Sequence, residues 1–134
     1  MRCIPAALLA VAFIACAPAD DTPEPALSDA PAPAAAEPAT VHVVLNEWSV
    51  QPSETALNAG SVRFHAMNEG QQIHSLEVER QRDGEESDTG NIPAGGTGEV
   101  TVNLEPGTYT LYCPREDAEG NHRARGMETT ITVR

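Results

Sequence analysis

Short runs in which apolar and polar residues alternate recur along the chain from Val41 onward. The run "SVRFHAMN" at 61–68 alternates strictly, and similar runs are "VHVVLNEWSV", "IHSLEVER", "GEVTVNL", "GTYTLYC" and "METTITVR". A period of two indicates half-buried β-strands. Turn sequences such as Asn58-Ala59-Gly60 and Pro106-Gly107 separate the runs. Regularly spaced short strands predict an all-β sandwich or barrel, with room for a short helical turn only within 83–92 or 114–121.

The first residues have a different pattern, in which Met1-Arg2 precedes the apolar run "IPAALLAVAFIACA". This run is shorter than the roughly 20 residues that a membrane-spanning helix needs. A basic start, an apolar stretch and small residues at its end indicate a secretory signal. "FIAC" at 13–16 resembles a bacterial lipobox, in which the signal is cut before a cysteine, here Cys16, that becomes lipid-modified. The alternative is ordinary cleavage after Ala19, and both predict a protein that leaves the cytoplasm.

Residues 17–40 are mostly alanine and proline with scattered acidic residues. Such a segment buries too little apolar surface to offset the entropy of ordering it, and proline-rich linkers tend to be extended. We therefore predict three parts: a signal peptide at 1–16, an acidic linker at 17–40 and a domain at 41–134. A domain of that size folds alone around a modest core.

The net charge is −12, and arginine is the only basic residue besides histidine. Nucleic-acid binding is excluded as a function, because phosphate contacts need a basic surface. Attraction to an anionic membrane is excluded for the same reason, which leaves a lipid anchor as the expected membrane link. The charge would steer a basic protein partner towards this chain, or it only keeps an exported protein soluble.

The three cysteines are Cys3, Cys16 and Cys113. Removal of the signal leaves Cys113 without a disulfide partner in its own domain. An exported protein usually pairs its cysteines, so an odd one is notable. Cys113 is either a buried thiol that acts as a small hydrophobe or a thiolate ligand, and the second explains its presence better.

Four side chains are candidates for one metal site. His74 shares a strand face with Leu76 and Val78, so we expect it to point inward at the start of its strand. Cys113 closes another strand, and His122 and Met127 follow it through a loop. Two imidazoles, one thiolate and a weak thioether form the blue-copper type of site. Zinc rarely takes methionine, and iron–sulfur clusters need more cysteines.

The sequences "AGSVRFHAMNEGQQIHSLEV", "PGTYTLYC" and "NHRARGM" resemble those of cupredoxins, the small blue copper proteins, over most of 41–134. The resemblance implies a Greek-key β-sandwich of seven to eight strands and one copper ion that cycles between Cu(I) and Cu(II). It implies His74, Cys113 and His122 as equatorial ligands and Met127 as the axial ligand. It also implies that Ser75 stiffens the site through hydrogen bonds near the cysteine sulfur, with Pro114 beside the ligands.

Several alternatives remain at this site. Met67, Glu47 or Glu69 is a rival for the axial position, whereas His42 and His65 are interpreted as surface or structural residues and Trp48 as a core residue. The eight residues "PREDAEGN" between Cys113 and His122 depart from the family, whose better-known members have a shorter loop. This longer, acidic loop leaves the geometry of the site open.

The function that the resemblance implies is transfer of single electrons between redox proteins. The partner would be a cytochrome or a copper oxidoreductase that docks near His122, beside Pro114, Ala124 and Gly126. A copper store or metallochaperone with the same ligands is the alternative, and an adhesion domain without metal is a third possibility. An enzyme is not expected, because four ligands leave copper no open position for substrate.

Overall fold

A computed structural model describes residues 37–134, which form strands and connecting loops. The strands are β1 (Ala39–Asn46), β2 (Ser49–Pro52), β3 (Ala56–Leu57), β4 (Gly60–Asn68), β5 (Glu77–Arg80), β6 (Glu86–Asp88), β7 (Thr97–Leu104), β8 (Gly107–Tyr112), β9 (Glu116–Asp117), β10 (Gly120–Asn121) and β11 (Glu128–Val133).

Nine of these strands form two sheets. One sheet has the order β2-β1-β4-β7 and the other the order β3-β11-β8-β5-β6, while β9 and β10 pair only with each other. The pairs β1–β4 and β3–β11 are parallel, and the other pairs are antiparallel. The predicted all-β sandwich is confirmed, although short strands such as β3 and β6 raise the strand number above seven or eight. The segments 83–92 and 114–121 contain β6 and the β9–β10 hairpin instead of a helical turn.

The core lies between the two sheets and follows the alternation in the sequence. Val62, Phe64 and Ala66 of β4 are buried, while the residues between them are at least partly exposed. Phe64 lies opposite Val41 of β1, which is also buried. Each large apolar side chain removed from water contributes about 1.5–3 kcal/mol to folding, so this stripe stabilises the packing of the β1–β4 pair against the rest of the core.

Strand β8 lies in the middle of the second sheet and is buried on both faces near its end. Tyr109 and Leu111 belong to the core. Tyr112 points to the other face of the sheet. There the Arg123 guanidinium lies 3.9 Å from the centroid of the Tyr112 ring, and the Tyr112 hydroxyl donates a hydrogen bond to Glu86. Strand β8 therefore holds the next residue, Cys113, firmly at the end of the sandwich.

Two predicted boundaries differ from the structure. Strand β1 begins at Ala39, two residues before the predicted start of the domain. The strand expected from Ile73 begins at Glu77, so His74 precedes β5 instead of opening it. His74 is held by an isolated antiparallel bridge to Ile92, which replaces the expected strand pairing.

The predicted signal at 1–16, with Cys16, and nearly all of the predicted linker lie outside the described residues. Among residues 37–134, no helix is long and apolar enough to cross a bilayer.

Candidate metal centre

Three predicted ligand residues meet at one end of the sandwich. His74 lies in the loop between β4 and β5, Cys113 directly follows β8, and His122 directly follows β10. Each has 0% of its surface exposed to solvent. Residues that are far apart in the sequence therefore place two imidazoles and one thiol in the same buried space.

The distances between their donor atoms suit a small metal ion. The Nδ1 atoms of His74 and His122 are 3.2 Å apart, and the Sγ atom of Cys113 lies 3.9 Å from the first and 3.5 Å from the second. A transition metal about 2.0–2.3 Å from nitrogen and sulfur ligands requires ligands separated by roughly 3.3–3.8 Å in trigonal or tetrahedral geometry. The three atoms are thus already spaced close to metal-binding distances.

The second nitrogen of each imidazole is bonded to a carboxylate. His74 Nε2 lies 3.1 Å from Glu47 Oε1, and His122 Nε2 lies 2.7 Å from Asp117 Oδ2. An ionised carboxylate only accepts hydrogen bonds, so each Nε2 carries the hydrogen and donates it. The Nδ1 atom of each ring then presents a lone pair to the other ring and to Cys113.

This arrangement leaves too few hydrogen-bond donors for the acceptors at the centre of the site. Two lone pairs face each other at 3.2 Å, and the single S–H of Cys113 can satisfy only one of them. Buried acceptors without a donor are costly, whereas a bound cation satisfies both nitrogens and the sulfur. Two imidazoles with a thiolate are the equatorial donors of a blue-copper site, so these residues fit copper.

Burial shapes the protonation of the ligands. Burial raises the pKa of the Cys113 thiol, and hydrogen bonds from the backbone N–H groups of Arg115 and Ser75 partly offset that rise. The Ser75 nitrogen lies 3.4 Å from Sγ and its N–H donates to the sulfur, while Pro114 is exposed. A thiol that coordinates a metal ion is deprotonated and releases its proton to solvent, so the raised pKa belongs to the metal-free protein. Burial also lowers the pKa of His74, which favours the neutral, ligating form.

The two carboxylates stay ionised at neutral pH. The hydrogen bond from His122 lowers the pKa of Asp117. Burial pushes the pKa of Glu47 upward, but the N–H groups of Gln72 and Gln71 outweigh it and lower that pKa. The sequence marked Glu47 only as a rival axial ligand and Asp117 only as part of an acidic loop; neither residue has a local pattern that predicts its imidazole partner.

Met127 is fully buried beside the cluster. Its carbonyl accepts a hydrogen bond from the Cys113 N–H at 3.0 Å, and its own N–H donates to the His122 carbonyl at 3.1 Å. Among the rival axial residues, Glu47 contacts the Nε2 edge of His74 instead of the side that faces the cluster. Met67 is 41% exposed on β4, and Glu69 is exposed as well. Met127 is therefore the candidate tied most directly to the other ligands.

A hydrogen-bond network fixes the loop that carries His74. The buried Asn68 side chain donates to the carbonyls of Gln72 and Ile92 at 2.7 and 2.9 Å. Ile92 in turn exchanges both backbone hydrogen bonds with His74. No local sequence pattern predicts that Asn68 is buried, because its burial depends on Ile92, which is 24 positions away.

The long loop after Cys113 is folded over His122. Residues 116–121 form the β9–β10 hairpin, and the Arg115 carbonyl accepts a hydrogen bond from the His122 N–H. The rings of Trp48 and His122 pack in a T-shaped arrangement at a centroid distance of 5.0 Å, and the Arg125 guanidinium covers Trp48. The hairpin and Trp48 cover His122, which is 0% exposed to solvent.

The structure also shows where two histidines and a tryptophan that were not predicted as ligands lie. His42 and His65 pair across β1 and β4 on the outer face, with ring centroids 5.4 Å apart, away from the buried cluster. Trp48 is partly buried and packs against the core.

A β-sandwich that holds a buried His–Cys–His cluster at one end has the architecture of a small metal-binding protein. The sequence profile of the cupredoxin-like domain matches residues 5–126, and the chain therefore belongs to the cupredoxin-like family. The matched range includes His74, Cys113 and His122 and ends one residue before Met127.

Solved structures with a similar fold include blue copper proteins at low sequence identity. Auracyanin A, a "blue" copper protein from Chloroflexus aurantiacus, is 16% identical with a TM-score of 0.58, over 73% of this chain and 100% of that one. The reduced auracyanin of Roseiflexus castenholzii is 17% identical with a TM-score of 0.57, over 71% and 96%. Auracyanin B is 22% identical with a TM-score of 0.57, over 75% and 93%. No curated protein sequence matches the chain at a significant level.

Proposed function

We propose that this protein is a mononuclear type 1 copper protein that carries single electrons between redox partners outside the cytoplasm. The observation that carries the proposal is the convergence of two Nδ1 atoms and the Cys113 sulfur, with both Nε2 atoms within hydrogen-bond distance of carboxylates. Membership of the cupredoxin-like family supports it.

Each residue has a defined part in this proposal. His74, Cys113 and His122 would hold the copper ion through two imidazole nitrogens and a thiolate, and Met127 would add a weak thioether ligand. The Ser75 N–H donates to the sulfur and moderates its charge. When bound, copper supplies one-electron chemistry by cycling between Cu(I) and Cu(II). Backbone hydrogen bonds from Cys113 to Met127 and from Met127 to His122 keep the ligands in place through that cycle.

Complete burial of the donors favours a carrier over the alternatives. A substrate has no access to donors that are 0% exposed, which argues against an enzyme. A copper store or metallochaperone must release its ion to another protein, and buried donors oppose such an exchange. An electron, in contrast, leaves without opening the site.

The expected partner is a redox protein such as a cytochrome or a copper oxidoreductase. We infer that it docks at the end of the sandwich over His122, which here means on the β9–β10 hairpin, Pro114, Ala124 and Gly126. The signal-like first residues support a periplasmic location or a membrane anchor through a lipid on Cys16. The net charge of −12 supports a protein partner with a basic face and excludes nucleic acid.

The decisive experiment is a visible and electron-spin-resonance spectrum of the purified full chain loaded with one equivalent of copper. We expect an intense thiolate-to-copper absorption band and a reversible one-electron redox wave. Cys113→Ser removes the band because it removes the thiolate, and His74→Ala and His122→Ala weaken copper binding. His42→Ala is the matched control, since this histidine lies on the outer face, and it leaves the spectrum unchanged.

Two results would overturn the proposal. One is a copper-loaded wild-type protein with neither the band nor the redox wave. The other is a Cys113→Ser variant that retains the copper content and stability of the wild type, which would favour a domain without metal. Rapid transfer of copper to an apo-enzyme, without electron transfer, would favour the metallochaperone.

A further inference from the structure

The β9–β10 hairpin brings a charged residue to the ligand that it covers. Asp117 lies at the end of β9, and its Oδ2 atom is 2.7 Å from His122 Nε2. Its other oxygen accepts the Glu119 N–H at 2.9 Å, within the turn of the hairpin. The carboxylate is therefore held at both oxygens and aimed at the ring nitrogen that does not face the cluster.

The contact lies at the boundary between buried and exposed surface. His122 is 0% exposed, whereas the Asp117 side chain is 27% exposed. A negative charge next to a buried imidazole is screened less than one in open water. The Asp117 charge therefore acts on His122 at short range and through partly excluded solvent.

Glu47 has the same relation to His74 but a different set of donors. Its Oε1 atom accepts hydrogen bonds from the backbone N–H groups of Gln71 and Gln72 as well as from His74 Nε2. Its negative charge is shared among three donors and also holds the backbone of the loop. Asp117 Oδ2, in contrast, accepts from His122 Nε2 and is shared with no backbone N–H group among the described residues. The charge of Asp117 therefore acts on its histidine more strongly than the charge of Glu47 acts on His74.

A carboxylate that accepts from the second nitrogen of a metal-bound histidine fixes the tautomer and makes the ligand more basic. A more basic ligand with an adjacent negative charge stabilises Cu(II) relative to Cu(I). We propose, on the basis of the copper site proposed above, that Asp117 is a positioning residue that fixes His122 as the Nε2–H tautomer and lowers the reduction potential. The long loop between Cys113 and His122 thus supplies a tuning group to the site.

The first test compares reduction potentials by voltammetry of the copper-loaded full chain. Asp117→Asn keeps an oxygen that can accept from Nε2–H but removes the charge. We expect the affinity for Cu(II) to fall at least tenfold, the lower end of the effect of such partners on metal affinity. The affinity for Cu(I), which carries less charge, is expected to change little, so the ratio of Cu(II) to Cu(I) affinity falls by the same factor. That ratio corresponds to an upward shift of about 59 mV for a one-electron couple.

Glu116→Gln is the matched control. Glu116 is the exposed neighbour on the same two-residue strand, so its substitution removes the same charge from the same hairpin. We expect its shift in potential to be less than a third of that of Asp117→Asn. Equal shifts in the two variants, or no shift in Asp117→Asn, would overturn the tuning role of Asp117.

The second test needs no copper. Nitrogen NMR of the metal-free protein reports which ring nitrogen of His122 carries the hydrogen. We expect the Nε2–H form in the wild type and in Asp117→Asn, and a mixture with the Nδ1–H form in Asp117→Ala. A pure Nε2–H form in a folded Asp117→Ala would contradict the positioning role.

The two proposals fail in different ways. If the wild type lacks the copper band and redox wave, the proposed function fails, while the tautomer measurement still decides the positioning role. If the wild type has both signals and Asp117→Asn leaves the potential unchanged, the function stands and the tuning role is wrong.

Discussion

At the scale of single residues, Glu47 connects the turn between β1 and β2 to the loop that carries His74. Its carboxylate accepts from Gln71, Gln72 and His74, and it occupies the space beside Gly70. A Cβ atom on Gly70 would lie 2.5 Å from Glu47 Oε1. The glycine is therefore explained by the close approach of this carboxylate.

The substitution Gly70→Ala tests that close approach. We expect it to lower the free energy of unfolding of the metal-free protein by about 1–3 kcal/mol, the usual range for overpacking. In a Glu47→Ala background the loss from Gly70→Ala becomes smaller, because the clashing oxygen is gone. Denaturant unfolding of the four proteins in this double-mutant cycle gives the coupling. Additive losses would show that Gly70 is needed for another reason.

At the scale of elements, β8 links the core to the metal centre. It lies between β11 and β5 in the second sheet, and Cys113 is the residue that follows its last position. Leu111 is fully buried on its inward face. Pairing of β8 on both sides and the hydrogen bond from the Cys113 N–H to the Met127 carbonyl place this buried cysteine at the end of the core.

Leu111→Ala tests the contribution of β8 to stability. We expect a loss of about 2–5 kcal/mol in the free energy of unfolding, because the substitution leaves a cavity in the core. Thr132→Ala, at an exposed position of the neighbouring strand β11, is the control and is expected to change stability by less than about 0.5 kcal/mol. Similar losses in chemical denaturation for both variants would show that β8 does not anchor the core.

At the scale of the whole molecule, charge governs how partners approach. The chain carries 20 acidic residues against 8 arginines. The hairpin over His122 adds Glu116, Asp117 and Glu119 at the end where a partner is proposed to dock. Long-range attraction between opposite charges raises association rates and weakens as salt screens it.

This charge predicts opposite salt effects with small redox reagents. From about 10 mM to about 150 mM salt, the Debye length falls from about 30 Å to about 8 Å. Oxidation of the reduced copper protein by a cationic metal complex is expected to slow over that range, and oxidation by an anionic complex to accelerate. Stopped-flow absorbance measures both rates, with a neutral reagent as the control. Slopes of the same sign for both charged reagents would refute electrostatic steering.

The sequence alone was sufficient for the fold class and for the members of the cluster. Strict alternation in β4 identified its inward face, since a strand presents successive side chains to opposite sides. The lone Cys113, followed by His122 and Met127, indicated a soft metal site from chemistry alone. The same alternation did not predict that His74 would precede β5, because a bridge to Ile92 decides that position.

What only the tertiary structure decided is the surroundings of the ligands. Glu47 lies 27 residues before His74, and no sequence period connects the two. Asp117 lies five residues before His122, and its contact depends on the fold of the β9–β10 hairpin. Ligand identity is a property of residue types, which a sequence displays, whereas hydrogen bonds to the second nitrogen depend on loop paths through space. The sequence thus indicated which residues are the candidate ligands, and the tertiary structure decided which carboxylate contacts each imidazole.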